Sequence, residues 1–295
     1  MKTTAGFLAV AATSGSVFDF KKEKLKLSFS TLGCPDWEFE KITRFAGANG
    51  YTGLEIRGIQ RQMDLTKCKE FGDENISASL RLMKDAGLAF VNLGSSAEMH
   101  HSDEAERRKQ MEEAKRFIDL AQKLNCPYIR VFPNKLPKEN REGTIDLIVK
   151  GLAEAGDHAN GTNVTVLMET HGEVVESAVL KQIMEATNHP KVGLVWDVTN
   201  MWTVTKEPPA QVYDALKKYI HHTHIKDATL SDKGPQYKLM GKGEVPIFEA
   251  IDILDKDGYK GYYSFEWEKL WHPEIDEPEV ALADYPKAMM QHFRK

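Results

Sequence analysis

The amino-acid sequence predicts an α/β protein built as a single (β/α)8 barrel, and three observations support this. Short β-rich runs alternate with longer amphipathic runs eight times from residue 25 onward. Strands that alternate with helices pair in parallel through crossovers, and eight such units favour closure into a TIM barrel. No GxGxxG follows the first predicted strand and no P-loop is present, which disfavours an open doubly wound sheet.

The length fits one large domain. The chain has 295 residues, of which 41% are hydrophobic and 28% are charged, an ordinary composition for a globular protein. Two average domains would fit in this length, but α/β barrels of roughly 250 residues are single domains. We therefore assign residues 25–295 to one barrel domain.

The predicted elements follow each other in strict alternation. The first helix begins after Pro35 and Asp36 and stops at Gly50, and Gly87 closes the second helix. Several later helices open with proline near the first turn, where no intrahelical N–H bond is needed. The predicted strands cover residues 25–30, 53–56, 89–93, 128–131, 164–168, 192–196, 220–225 and 261–265. The predicted helices cover residues 37–49, 76–86, 103–124, 144–160, 177–187, 209–218, 246–256 and 278–293.

Charge and cysteine content limit the range of partners. The formal net charge is −5 and no basic stretch stands out, so nothing supports nucleic-acid or membrane-surface binding. No apolar run reaches the roughly 18 residues that span a bilayer. Cys34, Cys68 and Cys126 are odd in number and form no CxxC pattern, so we interpret them as free thiols.

The first 24 residues stand apart from the barrel pattern. Lys2 precedes a short apolar run at residues 5–12, and small residues follow, which are the ingredients of a secretory signal. The run also resembles the second half of a twin-arginine export signal, without the arginine pair. Export to the periplasm is therefore expected, with an N-terminal tail on a cytoplasmic protein as the alternative.

The predicted active site lies at the C-terminal ends of the strands, as in other (β/α)8 barrels. Four consecutive strands end with an acidic or imidazole side chain: Glu169, Asp197, His224 and Glu266. Three converging carboxylates would repel each other without a cation, and buried unpaired charges are costly. Oxygen and nitrogen ligands without a thiolate suit Mn²⁺, Mg²⁺, Co²⁺ or Zn²⁺. We predict one divalent ion here, with Mn²⁺ as the first choice.

Each ligand also has a structural alternative. Glu169 would pair with a basic residue, Asp197 would cap the following loop, and Glu266 would pair with Lys269. Three histidines compete on the seventh strand. Because side chains alternate between the faces of a strand, His222 and His224 share one face and His221 lies on the other. His224 is nearest the C-terminal end and is the preferred ligand, with His222 second.

Two further segments give the sequence a family resemblance. Together with the ligands above, residues 224–227 (HIKD) and 241–247 (GKGEVPI) resemble the xylose-isomerase-like barrel superfamily over roughly residues 25–295. The group that it resembles most is the sugar phosphate isomerase/epimerase group. Tagatose-type epimerases, inosose dehydratase and 3-keto-glycoside lyases are its relatives.

The resemblance implies a mechanism. In epimerases of this superfamily a Glu, Asp, His and Glu set binds the metal, and the two glutamates form the acid/base pair. Glu169 and Glu266 would then remove and return a proton next to a carbonyl through a metal-bound enediolate. A metal supplies several kcal/mol of stabilisation to such a species, and a positioned base adds about 10²–10⁴-fold. The sequence departs from the epimerase pattern after Asp197, where Val198-Thr199-Asn200 lacks the usual histidine.

Further residues are assigned to the mouth of the barrel. His171 and Lys226 are additional catalytic candidates, the first as a base and the second to polarise a substrate oxygen. Arginines at strand ends bind substrate oxygens or serve as structural partners of carboxylates. The predicted substrate-binding residues are Arg57, Arg130, His222 and Trp267. Glu98, His100 and His101 follow the third strand and are placed at the mouth as well.

Three functions are weighed. The preferred one is a metal-dependent isomerase or epimerase of a sugar, with a lyase cleaving 3-keto-glycosides at the same metal site as the alternative. An apurinic endonuclease on the same fold needs more metal ligands and a basic groove, which the charge of −5 disfavours. A non-catalytic sugar-binding barrel is the third. The expected partner is a small sugar or glycoside, and a homo-oligomer is left open.

Overall fold

The computed structural model describes residues 25–294, which form a closed barrel of eight parallel strands surrounded by helices. The barrel strands are β1 Leu27–Ser30, β2 Gly53–Ile56, β3 Ala89–Glu98, β4 Tyr128–Phe132, β5 Thr165–Glu169, β6 Val192–Asp197, β7 Ile220–Ile225 and β10 Tyr263–Phe265. The outer helices are α1 Phe39–Ala48, α2 Ile76–Asp85, α3 Glu104–Lys123, α4 Arg141–His158, α5 Ser177–Thr187, α6 Val198–Thr205, α7 Pro209–Leu216, α8 Ile247–Lys256 and α9 Pro278–Phe293. The remaining strands, β8 Asp227–Ser231 and β9 Gly234–Lys238, form an antiparallel hairpin.

The predicted barrel is confirmed. Neighbouring strands follow the order β1-β10-β7-β6-β5-β4-β3-β2 and the sheet closes on itself. All eight predicted strands and helices are present. The strand bounds agree with the prediction to within two residues, except that β3 continues to Glu98 because it pairs with β4 again after an irregularity beyond Gly94. The signal-like interpretation of residues 1–24 concerns a segment outside the described residues.

Besides four short 3-10 helices, the described residues contain one α-helix and one hairpin that were not predicted, and this helix and hairpin both follow strands that carry predicted metal ligands. Helix α6 begins directly after β6, where the Asp197 carboxylate accepts a hydrogen bond from the Asn200 N–H at 2.8 Å as an N-cap. The β8–β9 hairpin follows β7. Asp227 secures its base, because its Oδ2 accepts from the backbone N–H groups of Gly241 and Gly243 at 2.9 and 2.8 Å.

The two faces of the barrel strands are chemically different. The outer faces pack on the helices, as Trp196 does against the ring of Tyr213 at 5.9 Å. The inside of the barrel carries buried polar groups, including Glu55, His222 and His224. In a barrel of eight strands the interior is filled by side chains, so these groups must satisfy each other. Among the described residues, none of the helices has the length and apolarity that a membrane span requires.

Candidate metal centre at the barrel mouth

The four predicted ligands converge at the C-terminal ends of the strands. We call Glu169, Asp197, His224 and Glu266 the central cluster. One ligand atom from each lies within 4.8 Å of the others, and all four side chains are buried. His224 Nδ1 lies 3.3 Å from Glu266 Oε1, 3.6 Å from Glu169 Oε1 and 3.8 Å from Asp197 Oδ2. Ligands bound at 2.0–2.1 Å around a tetrahedral ion are about 3.3 Å apart, so these separations suit one small divalent cation.

Strand register explains the convergence. Asp197 in β6 lies opposite His224 in β7, and His224 lies opposite Ser264 in β10. Glu169 and Glu266 are reached from β5 and from the residue after β10, one strand further out on either side. The four side chains therefore come from consecutive positions around the barrel, with the imidazole between the acids.

The charges of the central cluster are poorly balanced by protein groups alone. Burial raises the pKa of Asp197 to about 7, and Glu266 and Glu169 add to this while Lys226 opposes it. Burial alone would lower the pKa of His224, but Glu266, Glu55 and Glu169 hold it well above its ordinary value. Glu266 and Glu169 therefore contribute negative charge to both shifts. A divalent cation neutralises such an excess and takes the place of protons on its ligands.

His224 is held by a carboxylate that the sequence analysis did not identify. Glu55, fully buried in β2, places Oε2 3.0 Å from His224 Nε2 and 2.9 Å from His222 Nε2. The two imidazoles hold the pKa of Glu55 well below its ordinary value although burial opposes this. An ionised carboxylate only accepts hydrogen bonds, so His224 Nε2 carries the proton. The raised pKa of His224 favours a proton on Nδ1 as well, and this nitrogen faces the three acids, where a bound cation would displace that proton.

Lys226 forms a cationic bridge at the edge of the central cluster. Its ammonium lies 2.8 Å from Asp197 Oδ2, 2.6 Å from Glu266 Oε2 and 2.5 Å from Glu268 Oε1. The neighbouring Asp227 accepts hydrogen bonds from backbone N–H groups instead of pairing with this lysine. Lys269, the alternative partner of Glu266, pairs with Glu277 at 2.9 Å.

The two predicted arginines lie side by side in the first half of the barrel. Arg130 Nη1 is 3.3 Å from Glu169 Oε2, and its guanidinium lies 3.7 Å from the centre of the Phe132 ring. Arg57 donates to Ser96 Oγ at 2.9 Å. Burial and the charge of Arg130 lower the pKa of Arg57 to about 9. Both arginines are nearly inaccessible, so the structure assigns their closest contacts to protein groups.

His171 occupies a chain of hydrogen bonds that fixes its tautomer. Glu98 Oε1 lies 2.6 Å from Asn134 Nδ2, and Asn134 Oδ1 lies 2.8 Å from His171 Nδ1. Because the carboxylate accepts only, it must face the amide NH₂ group, which leaves the amide oxygen for His171. His171 Nδ1 is therefore the donor and Nε2 carries the lone pair. Burial lowers the pKa of His171, which favours this neutral form.

Two predicted substrate contacts are corrected. His222 is fully buried two residues before His224 and bonds to Glu55, so it lies beneath the central cluster instead of facing a substrate. Trp267 is also fully buried. Its indole N–H donates to the Asp276 carbonyl at 3.0 Å and its ring stacks on Phe265, which leaves no aromatic face for a sugar.

Comparisons with known proteins agree with the barrel fold. A family profile described as "Xylose isomerase-like TIM barrel" matches residues 44–289. The probable 3-DHS dehydratase AsbF from Bacillus anthracis is 18% identical, with 90% of this chain and 99% of that chain covered and a TM-score of 0.72. An IolI protein crystallised with a zinc atom is 18% identical, with 91% and 98% covered and a TM-score of 0.74. The 3-keto-D-glucoside 4-epimerase YcjR from E. coli is 15% identical, with 92% and 100% covered and a TM-score of 0.69. At these identities the likeness shows the shared fold. No curated protein matches the sequence.

Proposed function

The chain belongs to the family of xylose isomerase-like TIM barrels, and from this premise we propose a divalent-metal-dependent isomerase or epimerase that removes a proton next to the carbonyl of a sugar or keto-sugar. The observation that carries the proposal is the central cluster, in which His224 Nδ1 faces three carboxylates while Glu55 occupies Nε2. Carboxylate–histidine pairs of this kind orient metal-binding imidazoles in many enzymes.

The proposed ion sits between Glu169, Asp197, His224 and Glu266. The ligand set is rich in oxygen and lacks thiolate, which suits Mn²⁺, Mg²⁺, Co²⁺ or Zn²⁺. When bound, such an ion supplies several kcal/mol of Lewis-acid stabilisation to negative charge that develops on a sugar oxygen. Glu55 holds the proton on His224 Nε2, so Nδ1 is the nitrogen that would bind the ion once its own proton is displaced.

Glu169 and Glu266 are proposed as the proton-transfer pair. Each directs one oxygen towards His224 Nδ1 and the other towards a cation, Arg130 for Glu169 and Lys226 for Glu266. Burial alone would raise the pKa of both glutamates. Arg130 and His224 together outweigh burial for Glu169, and His224 and Lys226 together outweigh it for Glu266, so both pKa values lie below the ordinary range. Both carboxylates are thus ionised and able to accept a proton.

The two glutamates approach the cluster from different sides. Strands β6 and β7 separate β5 from β10 in the barrel. A substrate between the glutamates would lose its proton to one carboxylate and receive a different proton from the other, which would first have to take that proton from solvent. This exchange changes the configuration at carbon. Proton return to the neighbouring carbon by a single base would give an isomerase instead. His171, with its lone pair on Nε2, is the third candidate base and lies two residues beyond Glu169.

A second candidate is elimination. The same proton removal followed by departure of a group from the adjacent carbon would make the enzyme a lyase or dehydratase. The fold shared with a probable 3-DHS dehydratase supports retaining this candidate. The two reactions differ in their products, because elimination leaves a double bond and releases water or an alcohol.

One experiment separates these candidates. The purified protein is stripped with a chelator, reloaded with each of the four ions, and incubated in D₂O with a panel of aldoses, ketoses and 3-keto-glucosides. NMR is expected to detect deuterium at one carbon of one substrate, and the exchange should require the ion. Released aglycone would identify a lyase.

Matched variants make the test specific. Glu169→Gln and Glu266→Gln should each slow exchange by about 10²–10⁴-fold, the usual contribution of a positioned base. Glu112→Gln, on the exposed face of α3, should leave exchange unchanged. Full turnover by metal-stripped protein, or no exchange with any sugar by metal-loaded protein, would refute the proposal.

A further inference from the structure

A second group of metal-binding residue types lies at the end of β3. We call Glu98, His100 and His101 the rim cluster. One ligand atom from each lies within 4.8 Å of the others. Glu98 Oε2 is 3.0 Å from His101 Nε2 and 3.6 Å from His100 Nδ1, and the two imidazole rings lie side by side with centres 4.2 Å apart. These separations bracket the value of about 3.3 Å expected between tetrahedral ligands of a zinc-sized ion.

The carboxylate of the rim cluster is held in place from its far side. Asn134 Nδ2 donates to Glu98 Oε1 at 2.6 Å, which leaves Oε2 turned towards the histidines. Asn134 is itself fixed, because it adopts a left-handed φ of 50° and its carbonyl accepts from the Glu173 N–H at 2.7 Å. The loop after β5 passes so close to Asn134 that a Cβ on Gly172 would lie 2.3 Å from the Asn134 backbone carbonyl oxygen. The support of Glu98 is therefore built into two loops.

The ring nitrogens that face Glu98 are buried and unsatisfied. His101 Nε2 and His100 Nδ1 are paired with Glu98 Oε2 at 3.0 and 3.6 Å, but neither contact, nor any other within residues 25–294, has hydrogen-bond geometry. Buried polar atoms without partners are uncommon in proteins and call for an explanation such as an ion. Two nitrogens and a carboxylate oxygen around one point form the ligand set of open zinc sites.

We propose that the rim cluster binds a second divalent ion of the zinc class, with Glu98, His100 and His101 as ligands and the remaining positions open. The rim cluster shares no residue with the central cluster, so the two ions bind independently of each other's ligands. Imidazole nitrogen makes up two of its three ligands, which favours Zn²⁺ or Co²⁺ over Mg²⁺. The side chains are partly exposed, with 13–31% accessible, so an ion can enter from solvent.

The rim ion would also stabilise the arrangement around His171. Asn134 bridges Glu98 and His171, so a cation that fixes Glu98 keeps the amide in the orientation that places the proton on His171 Nδ1. The rim cluster is thereby connected to a residue two positions beyond Glu169. This link needs no contact between the two ions.

Cobalt binding tests the proposal on the full-length protein. Metal-free protein is titrated with Co²⁺ and followed by visible absorption and calorimetry, and two ions per chain are expected. His101→Gln should weaken one of the two sites by at least about 100-fold, more than the loss of a merely supporting residue. Asn134→Gly, which keeps the left-handed backbone and removes the amide, should weaken the same site by about 10- to 100-fold.

The controls separate this proposal from that for the central cluster. His158→Gln alters a surface histidine that pairs with Asp119 and should leave both sites intact. Asp197→Asn should weaken only the site that His101→Gln leaves unchanged. If the wild-type protein binds a single ion, loss of that ion in Asp197→Asn would overturn the rim proposal. Loss of it in His101→Gln would support the rim proposal and count against the central cluster. Cobalt binding that is unaffected by the double substitution His100→Gln/His101→Gln would overturn the rim proposal.

Discussion

The two halves of the barrel make different contributions to the mouth. Strands β5 to β10 and the residue after them supply all four members of the central cluster, three of which are acids. Strands β1 to β4 and the residues directly after them support this cluster, because Glu55 holds His224 and Arg57 and Arg130 add positive charge near Glu169. Lys226, in the second half, balances Asp197 and Glu266. The second half therefore carries the proposed chemistry of the central cluster, and the first half supplies part of its support.

This division depends on closure of the barrel. Glu55 in β2 bonds to two histidines of β7, although β1 and β10 lie between those strands on the shorter way round. The contact crosses the interior of the barrel and joins residues 169 positions apart in sequence. Glu55 contacts the nitrogen of His224 that faces away from the acids. Its loss should therefore weaken the binding of an ion without removing any of the ion's ligands. Substitutions in the two halves should thus differ in kind.

The largest effect is expected in the second half. Asp197→Asn keeps the N-cap of α6, since an asparagine oxygen also accepts from the Asn200 N–H, but it removes an anionic ligand. A lost ligand forfeits several kcal/mol of charge stabilisation, and each 1.4 kcal/mol is tenfold in rate. We expect activity to fall by at least about 10³-fold in steady-state assays of metal-loaded protein.

A surface variant provides the control for this substitution. Asp36→Asn makes the same change of charge at a carboxylate that pairs with Arg61 at 2.6 Å on the surface. Activity should not change. Circular dichroism should give the same fold for both variants. Activity of Asp197→Asn within tenfold of wild type would mean that the central cluster does not need its third acid.

The intermediate effect is expected in the first half. Glu55→Gln keeps the size of the side chain but replaces a charge that accepts from two imidazoles. His224 would lose the group that keeps its proton on Nε2, so we expect ion affinity to fall by about 10–100-fold. Activity should return when the ion concentration is raised. Ser264→Ala removes only a 3.5 Å contact with Glu55 and should change affinity little.

Saturation with the ion distinguishes the two halves. If Glu55→Gln stays inactive at any ion concentration, then Glu55 is part of the chemistry and the division between halves fails. If Asp197→Asn recovers fully at high ion concentration, its side chain only supports the cluster. Calorimetric titration of both variants with the same ion measures the difference directly.

The same division between the halves explains which site residues could be predicted from the sequence. The strand-then-helix rhythm predicted the barrel, and the ends of β5, β6, β7 and β10 predicted the four members of the central cluster because acidic and imidazole residues stood at matching positions. Alternation along β7 also separated His222 and His224 from His221. These inferences need only local periodicity and the rule that barrel chemistry lies at strand C-termini.

The residues of the first half needed information that local patterns do not contain. Nothing in the four-residue strand Gly53–Ile56 states which side chains lie across a closed barrel from Glu55. Asn134 is positioned by a left-handed backbone conformation and by the loop around Gly172. Neither feature produces a periodic pattern of residues in the sequence. The assignment of Trp267 to substrate binding was wrong, and the alternation of side chains along a strand explains why. Glu266 points into the barrel, so its neighbour points outward and packs.

The smallest effect tests whether the arginines of the first half are positioned by the backbone. Gly94 in β3 lies between them, and a Cβ there would come within 2.7 Å of Arg57 Cδ and 2.8 Å of Arg130 Nη2. Gly94→Ala overfills this space and should cost about 1–3 kcal/mol in free energy of unfolding, measured by thermal or denaturant melts. Because Arg130 contacts Glu169, activity should fall as well.

Gly50→Ala is the matched control. Gly50 has a φ of +84° and a Cβ there would meet no atom within 4 Å. The substitution should therefore cost about 1 kcal/mol of backbone strain and leave activity unchanged. Equal activity in both variants would show that the arginines tolerate displacement and that activity does not depend on their exact position.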